Sequence, residues 1–183
     1  MWKYMESLAR LAGEDRAGSQ AVARAALNQF GDNSNPDVES ALCATAGLQP
    51  IPTDEQARWV EIAERLLGHG ERMFHRRNAA GVLLRCGQAQ RAREILLKCY
   101  KEVEENSDLT QSKIGVCLRL ALANLELNNI EEAKRWLAKA ERAFQDVELT
   151  PFALMWNIPV FYELTRSEIT DRLKEDASQN AEE

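Results

Sequence analysis

The feature that most constrains the fold of this chain is an internal repeat in its second half. Residues 78–92, NAAGVLLRCGQAQRA, align without a gap with residues 119–133, RLALANLELNNIEEA. In both copies a small residue is followed seven positions later by a turn residue, and five positions after that by an alanine. Such self-similarity is typical of repeat architectures, in which each unit buries its apolar face against the next.

The repeated positions predict helical hairpins. Gly87 and Asn128 are residues that adopt the left-handed conformation closing a turn between two helices. The small residues let the paired helices approach closely; they are Ala80 and Ala92 in the first copy and Ala121 and Ala133 in the second.

Apolar residues at helical spacing predict helices over the rest of the chain as well, and glycines and prolines lie between these periodic segments. We predict helix starts at three capping residues, with Ser19 and Asn35 as simple N-caps and Thr53 in a capping box with Gln56. The predicted hairpins span residues 2–30, 36–68, 72–104 and 108–145.

The last part of the chain predicts a cap for the stack. Pro159 cannot lie inside a helix, so we expect a closing helix over 159–175 that packs on the last hairpin. Residues 176–183 are acidic and are predicted to be disordered. The predicted fold is all-α: a right-handed stack of about four antiparallel helix pairs with a C-terminal capping helix, forming one domain over residues 1–175.

The intervals in both copies resemble those of the tetratricopeptide repeat. The distance from Ala92 to Ala133 is 41 residues, against roughly 34 in that family, and the extra length falls in the polar segment 102–110. The large aromatic residues usual in the first helix are replaced here by Leu83 and Asn124. The resemblance implies a concave surface lined mainly by the first helix of each pair.

A second resemblance covers nearly the whole chain. It rests on the segments 12–15, 24–36, 41–50 and 63–65 and on the repeat that begins at Asn78. Together they are similar to helical regions that follow a serine/threonine kinase domain or a WD40 propeller in bacterial multidomain regulatory proteins. This implies an interaction module without catalytic activity.

The first resemblance also implies candidate binding residues. Some tetratricopeptide proteins hold the C-terminal carboxylates of a peptide with lysine, asparagine and arginine side chains, and the matching positions here are Arg77, Asn78 and Arg119. Glycines replace two further polar residues, at Gly81 and Gly115. Structural or solvent-exposed roles are the alternative for the same side chains. The full candidate surface is Arg77, Asn78, Gly81, Arg85, Arg119, Leu122 and Glu126.

Motifs of catalysis are absent from the sequence, so we predict that the protein is not an enzyme and has no cofactor. It contains no glycine-rich phosphate loop, no nucleophile elbow and no paired-histidine zinc motif. The two histidines, His69 and His75, are poorly spaced for one helical face, and we expect solvated or turn positions for both and no metal site.

Charge and cysteine content restrict the partners and the compartment. A net charge of −6 and a pI of about 5.2 disfavour nucleic-acid binding. Four scattered cysteines, with no signal peptide or membrane span in the sequence, predict a cytoplasmic protein. We expect a protein or peptide partner. If that partner is acidic, arginine side chains of this chain would bind it through charge-assisted hydrogen bonds.

The alternative function is that of a regulatory tail, which docks on a kinase or WD40 signalling system or on another copy of this chain. The sequence specifies neither the partner, nor the pathway, nor the oligomeric state.

Overall fold

The computed structural model describes residues 2–70, 72–106, 109–147 and 157–179, and these residues form helices and turns with no strand. The predicted all-α fold is therefore confirmed. The chain divides into two compact units, residues 1–99 and 100–183. The helices are α1 Trp2–Ala12, α2 Arg16–Phe30, α3 Pro36–Ala46, α4 Thr53–Gly68, α5 Met73–Arg85, α6 Ala89–Glu105, α7 Thr110–Glu126, α8 Ile130–Gln145 and α9 Asn157–Gln179.

In the first unit α3 is the central helix. It packs against α1, α2, α4 and α5, while α1 also contacts α2 and α4 contacts α5. The α3–α5 seam is close, because a Cβ atom added to Gly47 would lie 3.4 Å from the carbonyl carbon of Gly81. These contacts between neighbouring helices fit a helical stack.

The repeat positions behave as predicted from the sequence. Gly87 has φ 76° and Asn128 has φ 57°, so both turns close through the left-handed region. The four repeated alanines are fully buried: Ala80, Ala92, Ala121 and Ala133.

One predicted N-cap is confirmed and two are wrong. The Asn35 side chain accepts a hydrogen bond from the amide of Asp37 at 2.9 Å, with Pro36 in the first helical position. Asp15 caps α2 instead of Ser19, which is buried and hydrogen-bonded to Ser7 at 2.6 Å. Helix α4 already includes Thr53 and has no side-chain cap, and Gln56 donates to the carbonyl of Ile51 at 3.1 Å.

In the second unit α7 pairs with α8, and α9 packs against both. One side of α9 is buried, with Tyr162, Thr165 and Ile169 at most 6% exposed. The opposite side carries exposed Glu163 and Asp171. Helix α9 therefore packs on its neighbours through one face and presents charged residues on the other.

Helix α9 is longer than the sequence predicts. It starts at Asn157, so Pro159 lies in its first turn, where the missing amide hydrogen costs no helical hydrogen bond. It runs on to Gln179 and so includes the first residues of the predicted tail. Residues 180–183 of that tail lie outside the described part of the chain. Among the helices described, none is long and apolar enough to cross a membrane.

Candidate functional site

The candidate residues predicted from the sequence lie on two helices, one in each unit. Helix α5 carries four of them, and helix α7 carries the other three. The α5 group is Arg77, Asn78, Gly81 and Arg85; the α7 group is Arg119, Leu122 and Glu126.

Asn78 is part of the α3–α5 seam. It is 6% exposed, and its amide nitrogen donates to the Oγ of Ser40 at 3.0 Å and to the Ser40 carbonyl at 3.3 Å. Its Oδ1 accepts from the Nε and Nη2 atoms of Arg77, each at 3.3 Å. Asn78 therefore holds the Arg77 guanidinium in place and has little capacity left to bind a ligand directly.

Gly81 and Arg85 also make contacts within the first unit. Gly81 is buried where α5 approaches Gly47, so the absence of a side chain serves helix packing. Arg85 is half-buried and donates through Nη2 to the carbonyl of Leu48 at 3.3 Å.

Arg77 has an unusual electrostatic environment. Its side chain is half-buried, and no carboxylate among the described residues forms an ion pair or a hydrogen bond with it. Burial lowers the pKa of Arg77, and the Tyr4 phenol and the Cys99 thiol oppose that shift only in part. A desolvated cation without an anionic partner attracts a carboxylate or another anion.

Two of the three α7 residues contact α9 of the same unit. The Arg119 guanidinium, 6% exposed, lies 4.9 Å from the centre of the Phe161 ring and donates to the carbonyl of Gly115 at 3.2 Å. Glu126 accepts a hydrogen bond from Arg172 at 2.7 Å. Leu122 is 2% exposed. The structure thus gives these side chains internal partners.

The histidines differ from each other. His69 is partly exposed at the end of α4, with its Nε2 atom 3.1 Å from Glu39 Oε2. His75 is only 3% exposed and packs edge-on against Phe74, so its predicted solvated or turn position is wrong. The position on α5 that faces the other helices decides its burial, and two isolated histidines in a sequence do not reveal this. No group of metal-binding side chains occurs among the described residues.

Sequence reasoning missed a pocket in the first unit. It opens to solvent, has a volume of about 410 Å³ and is lined by α1, α2 and α3. Its wall is mostly apolar and includes Tyr4, Phe30, Val38 and Leu42. The only sequence signal was a set of apolar residues on three helices, which in itself predicts a core and not a cavity.

The pocket also has a charged residue at its rim. Asp37 lies at the rim, with Oδ1 3.5 Å from both Arg72 Nη1 and His75 Nε2.

Comparison with known proteins adds no family to this description. The chain matches no protein-family model, no curated protein and no solved structure.

Proposed function

We propose that this protein is a non-catalytic protein-interaction scaffold whose helical stack, right-handed and similar to tetratricopeptide repeats, binds a peptide or a partner domain. The binding surface centres on Arg77 of α5. Binding occurs without turnover, and the partner contributes a carboxylate.

The observation that supports the proposal is the environment of the Arg77 guanidinium. Its guanidinium is desolvated, oriented by Asn78, and has no carboxylate partner among the described residues. Burying a cation costs free energy unless an anion compensates for it. A carboxylate from another chain would supply that compensation through charge-assisted hydrogen bonds.

The contacts of the α7 residues narrow the proposed surface. Phe161 already covers Arg119, and Arg172 already pairs with Glu126. A partner at these positions would have to replace contacts that the chain makes with itself. We therefore centre the proposed surface on α5 and assign the α7 residues to the attachment of α9.

The test is a selection of short random peptides displayed on phage against the purified full chain. We expect the selected peptides to be enriched in aspartate, glutamate or a free C-terminal carboxylate. Removing one charged hydrogen-bond partner typically costs about 1.5–3 kcal/mol, so Arg77→Gln should weaken their binding about tenfold or more. Arg16→Gln, an exposed position on α2, is the matched control and should leave the affinity unchanged.

Two outcomes would overturn the proposal. One is that no peptide is selected. The other is that the selected peptides bind the Arg77→Gln variant as tightly as the wild type, with circular dichroism showing that both are folded. The regulatory-tail alternative, its bacterial setting and the cytoplasmic location stay predictions, because no structural feature favours them.

A further inference from the structure

We infer that Arg77 binds one carboxylate of the partner end-on, through its Nη1 and Nη2 atoms, and that Asn78 is the positioning residue that leaves this edge of the guanidinium open. This inference rests on the proposed function and specifies the chemistry that the site recognises. The carboxylate belongs to an aspartate, a glutamate or the C-terminus of the bound peptide, and all three present the same pair of oxygens.

The first argument is the orientation of the Asn78 amide. Its Nδ2 atom lies 3.3 Å from the carbonyl oxygen of Ser40. A carbonyl oxygen only accepts hydrogen bonds, so the amide nitrogen must face Ser40 and Oδ1 must face Arg77. The second hydrogen bond, to the Ser40 Oγ at 3.0 Å, holds the same orientation. The backbone of α3 therefore decides which atom of Asn78 meets the guanidinium.

The second argument is the set of guanidinium hydrogens that Asn78 occupies. Its Oδ1 accepts from Nε and Nη2 of Arg77, each at 3.3 Å, and these two nitrogens form the side-on edge of the group. A guanidinium has five N–H donors, so both hydrogens of Nη1 and one hydrogen of Nη2 remain. The end-on edge that Nη1 and Nη2 share matches the two oxygens of a carboxylate.

The third argument is that a ligand can reach this edge. The Arg77 side chain is half-buried, and Nη1 makes no hydrogen bond within the described part of the chain. The described nitrogens that are both sealed from solvent and unpaired belong to other residues, so the unpaired Nη1 is accessible to solvent. An incoming carboxylate therefore meets an open donor edge.

The fourth argument is that Asn78 orients the cation without neutralising it. An aspartate at this position would also offer an oxygen to Arg77, but it would supply the negative charge from within the chain. Arg65 of the same unit has such an internal partner, since it donates to the Glu39 carboxylate at 2.7 Å. The charge of Arg77 is left for a ligand, and one positive charge matches one carboxylate.

The experiment exchanges Asn78 for aspartate and leaves Arg77 unchanged. The probes are the peptides selected on the wild-type chain, with Kd measured by fluorescence anisotropy. Because the new carboxylate would compensate Arg77, we expect Asn78→Asp to weaken binding about tenfold or more. Asn28→Asp is the matched control and should leave Kd unchanged. Asn28 is exposed on α2 and also accepts a hydrogen bond from an arginine, Arg58, at 3.4 Å.

Two further variants separate charge from orientation. Arg77→Lys keeps the positive charge but loses the two-pronged donor edge, so it should weaken binding about threefold or more. Asn78→Ala leaves Arg77 charged but no longer held, and it should weaken binding less than Asn78→Asp. Where Asn78→Asp loses its helical circular dichroism, Asn78→Ala replaces it, and unchanged binding by that variant would contradict the positioning role.

A spectroscopic measurement distinguishes end-on binding from a purely structural role of Arg77. In the ¹⁵N-labelled wild-type chain, we expect the peptide to shift the Nη resonances of Arg77. The Nε–H resonance should move little, because Asn78 keeps its hydrogen bond. A larger shift at Nε–H than at Nη would mean that the ligand displaces Asn78, and it would contradict end-on binding.

The source of the carboxylate is identified on the peptides. Each selected peptide is synthesised with a free and with an amidated C-terminus, and with each acidic residue in turn replaced by its amide. One of these changes should weaken binding about tenfold or more, and the others should not. A loss of this size from several changes, or from none, would overturn the inference of a single carboxylate.

The failure of this inference differs from the failure of the proposed function. If Arg77→Gln weakens binding while folded Asn78→Asp and Arg77→Lys bind as tightly as the wild type, the inference is overturned and the function stands. If Arg77→Gln also binds as tightly, or if no peptide is selected, both are overturned.

Discussion

Arg65 donates a hydrogen bond to the fully buried carboxylate of Glu39 at 2.7 Å and so ties α4 to the first turn of α3. The same guanidinium donates to the carbonyl of Gly31 at 2.6 Å and to Glu61 at 3.1 Å. The hydrogen bond that Arg65 donates to Glu39 is the main cause that raises the pKa of Arg65. One arginine thus connects the end of α2, the start of α3 and the end of α4.

The first prediction concerns this buried pair. Arg65→Leu leaves the Glu39 carboxylate buried with His69 as its one remaining ion-pair partner among the described residues, and we expect a loss of about 3–5 kcal/mol in the free energy of unfolding. Glu39→Gln should cost less, because Arg65 is 31% exposed and keeps access to water. Urea unfolding followed by circular dichroism measures both values.

A surface pair provides the control for this prediction. Arg58 lies 3.4 Å from Asp32, whose side chain is 97% exposed. We expect Arg58→Leu to lower the free energy of unfolding by less than about 1 kcal/mol. Equal losses for Arg58→Leu and Arg65→Leu would show that the burial of Glu39 does not determine how much the free energy of unfolding falls.

The second prediction concerns the turn of the second repeat. Asn128 has φ 57°, so Asn128→Ala places a Cβ in the left-handed region and should cost about 1 kcal/mol. Asn128→Gly should not destabilise the protein, since glycine adopts this conformation readily. Asn129→Ala is the control at φ −97° and should change the stability by less than about 0.5 kcal/mol. Equal losses at both positions in urea unfolding would contradict this reading of the turn.

The turns and the all-α fold could be predicted from the sequence because they depend on local preferences. Glycine and asparagine adopt positive φ more readily than other residues, so Gly87 and Asn128 indicate such turns from residue type alone. The spacing of small residues along the sequence likewise does not depend on how the helices pack. The same rules do not identify Glu14, which has φ 61° in the turn between α1 and α2. Its residue type carries no signal for that conformation.

The contacts that the candidate site residues make could not be predicted in the same way. The sequence places Arg119 and Glu126 on one helix, but their partners Phe161 and Arg172 come from a helix much later in the chain. The burial of Asn78 likewise depends on Ser40 of α3. Residue type indicates what a side chain can bind, and tertiary packing decides which partner it meets.

The third prediction tests the attachment of α9 to α7. Glu126 and Arg172 are both partly exposed, so Glu126→Arg should lower the free energy of unfolding by up to about 1 kcal/mol. The double variant Glu126→Arg plus Arg172→Glu should recover most of that loss, because it restores an ion pair of opposite polarity. Amide hydrogen exchange should be faster in α9 for the single variant than for the double variant.

Lys174→Glu is the matched control for this charge reversal. Lys174 lies on α9, as Arg172 does, and its side chain is 72% exposed. Among the described residues it pairs only with Asp171, one turn earlier. Combined with Glu126→Arg, it should not restore the stability. A double-mutant cycle without coupling between Glu126 and Arg172 would contradict the proposed attachment.

The fourth prediction is a pH dependence that originates at the start of α2. Asp15 accepts hydrogen bonds from the Gly18 amide at 2.8 Å and from Arg10 at 2.9 Å. The first of these contributes most, and together they lower the pKa of Asp15 below its ordinary value of 3.8. The folded state therefore binds a proton less readily at Asp15 than the unfolded state does.

The direction of the effect follows from this difference. The stabilisation by ionised Asp15 is complete above the unfolded-state pKa and is lost as the pH falls through the lower folded-state pKa. Asp15→Asn keeps an oxygen for the cap but cannot ionise, so the stability gap between wild type and variant should shrink between about pH 5 and pH 2. Urea unfolding at several pH values measures this gap. A gap that stays constant over the range would mean that the charge of Asp15 makes no contribution and that its oxygen alone caps the helix.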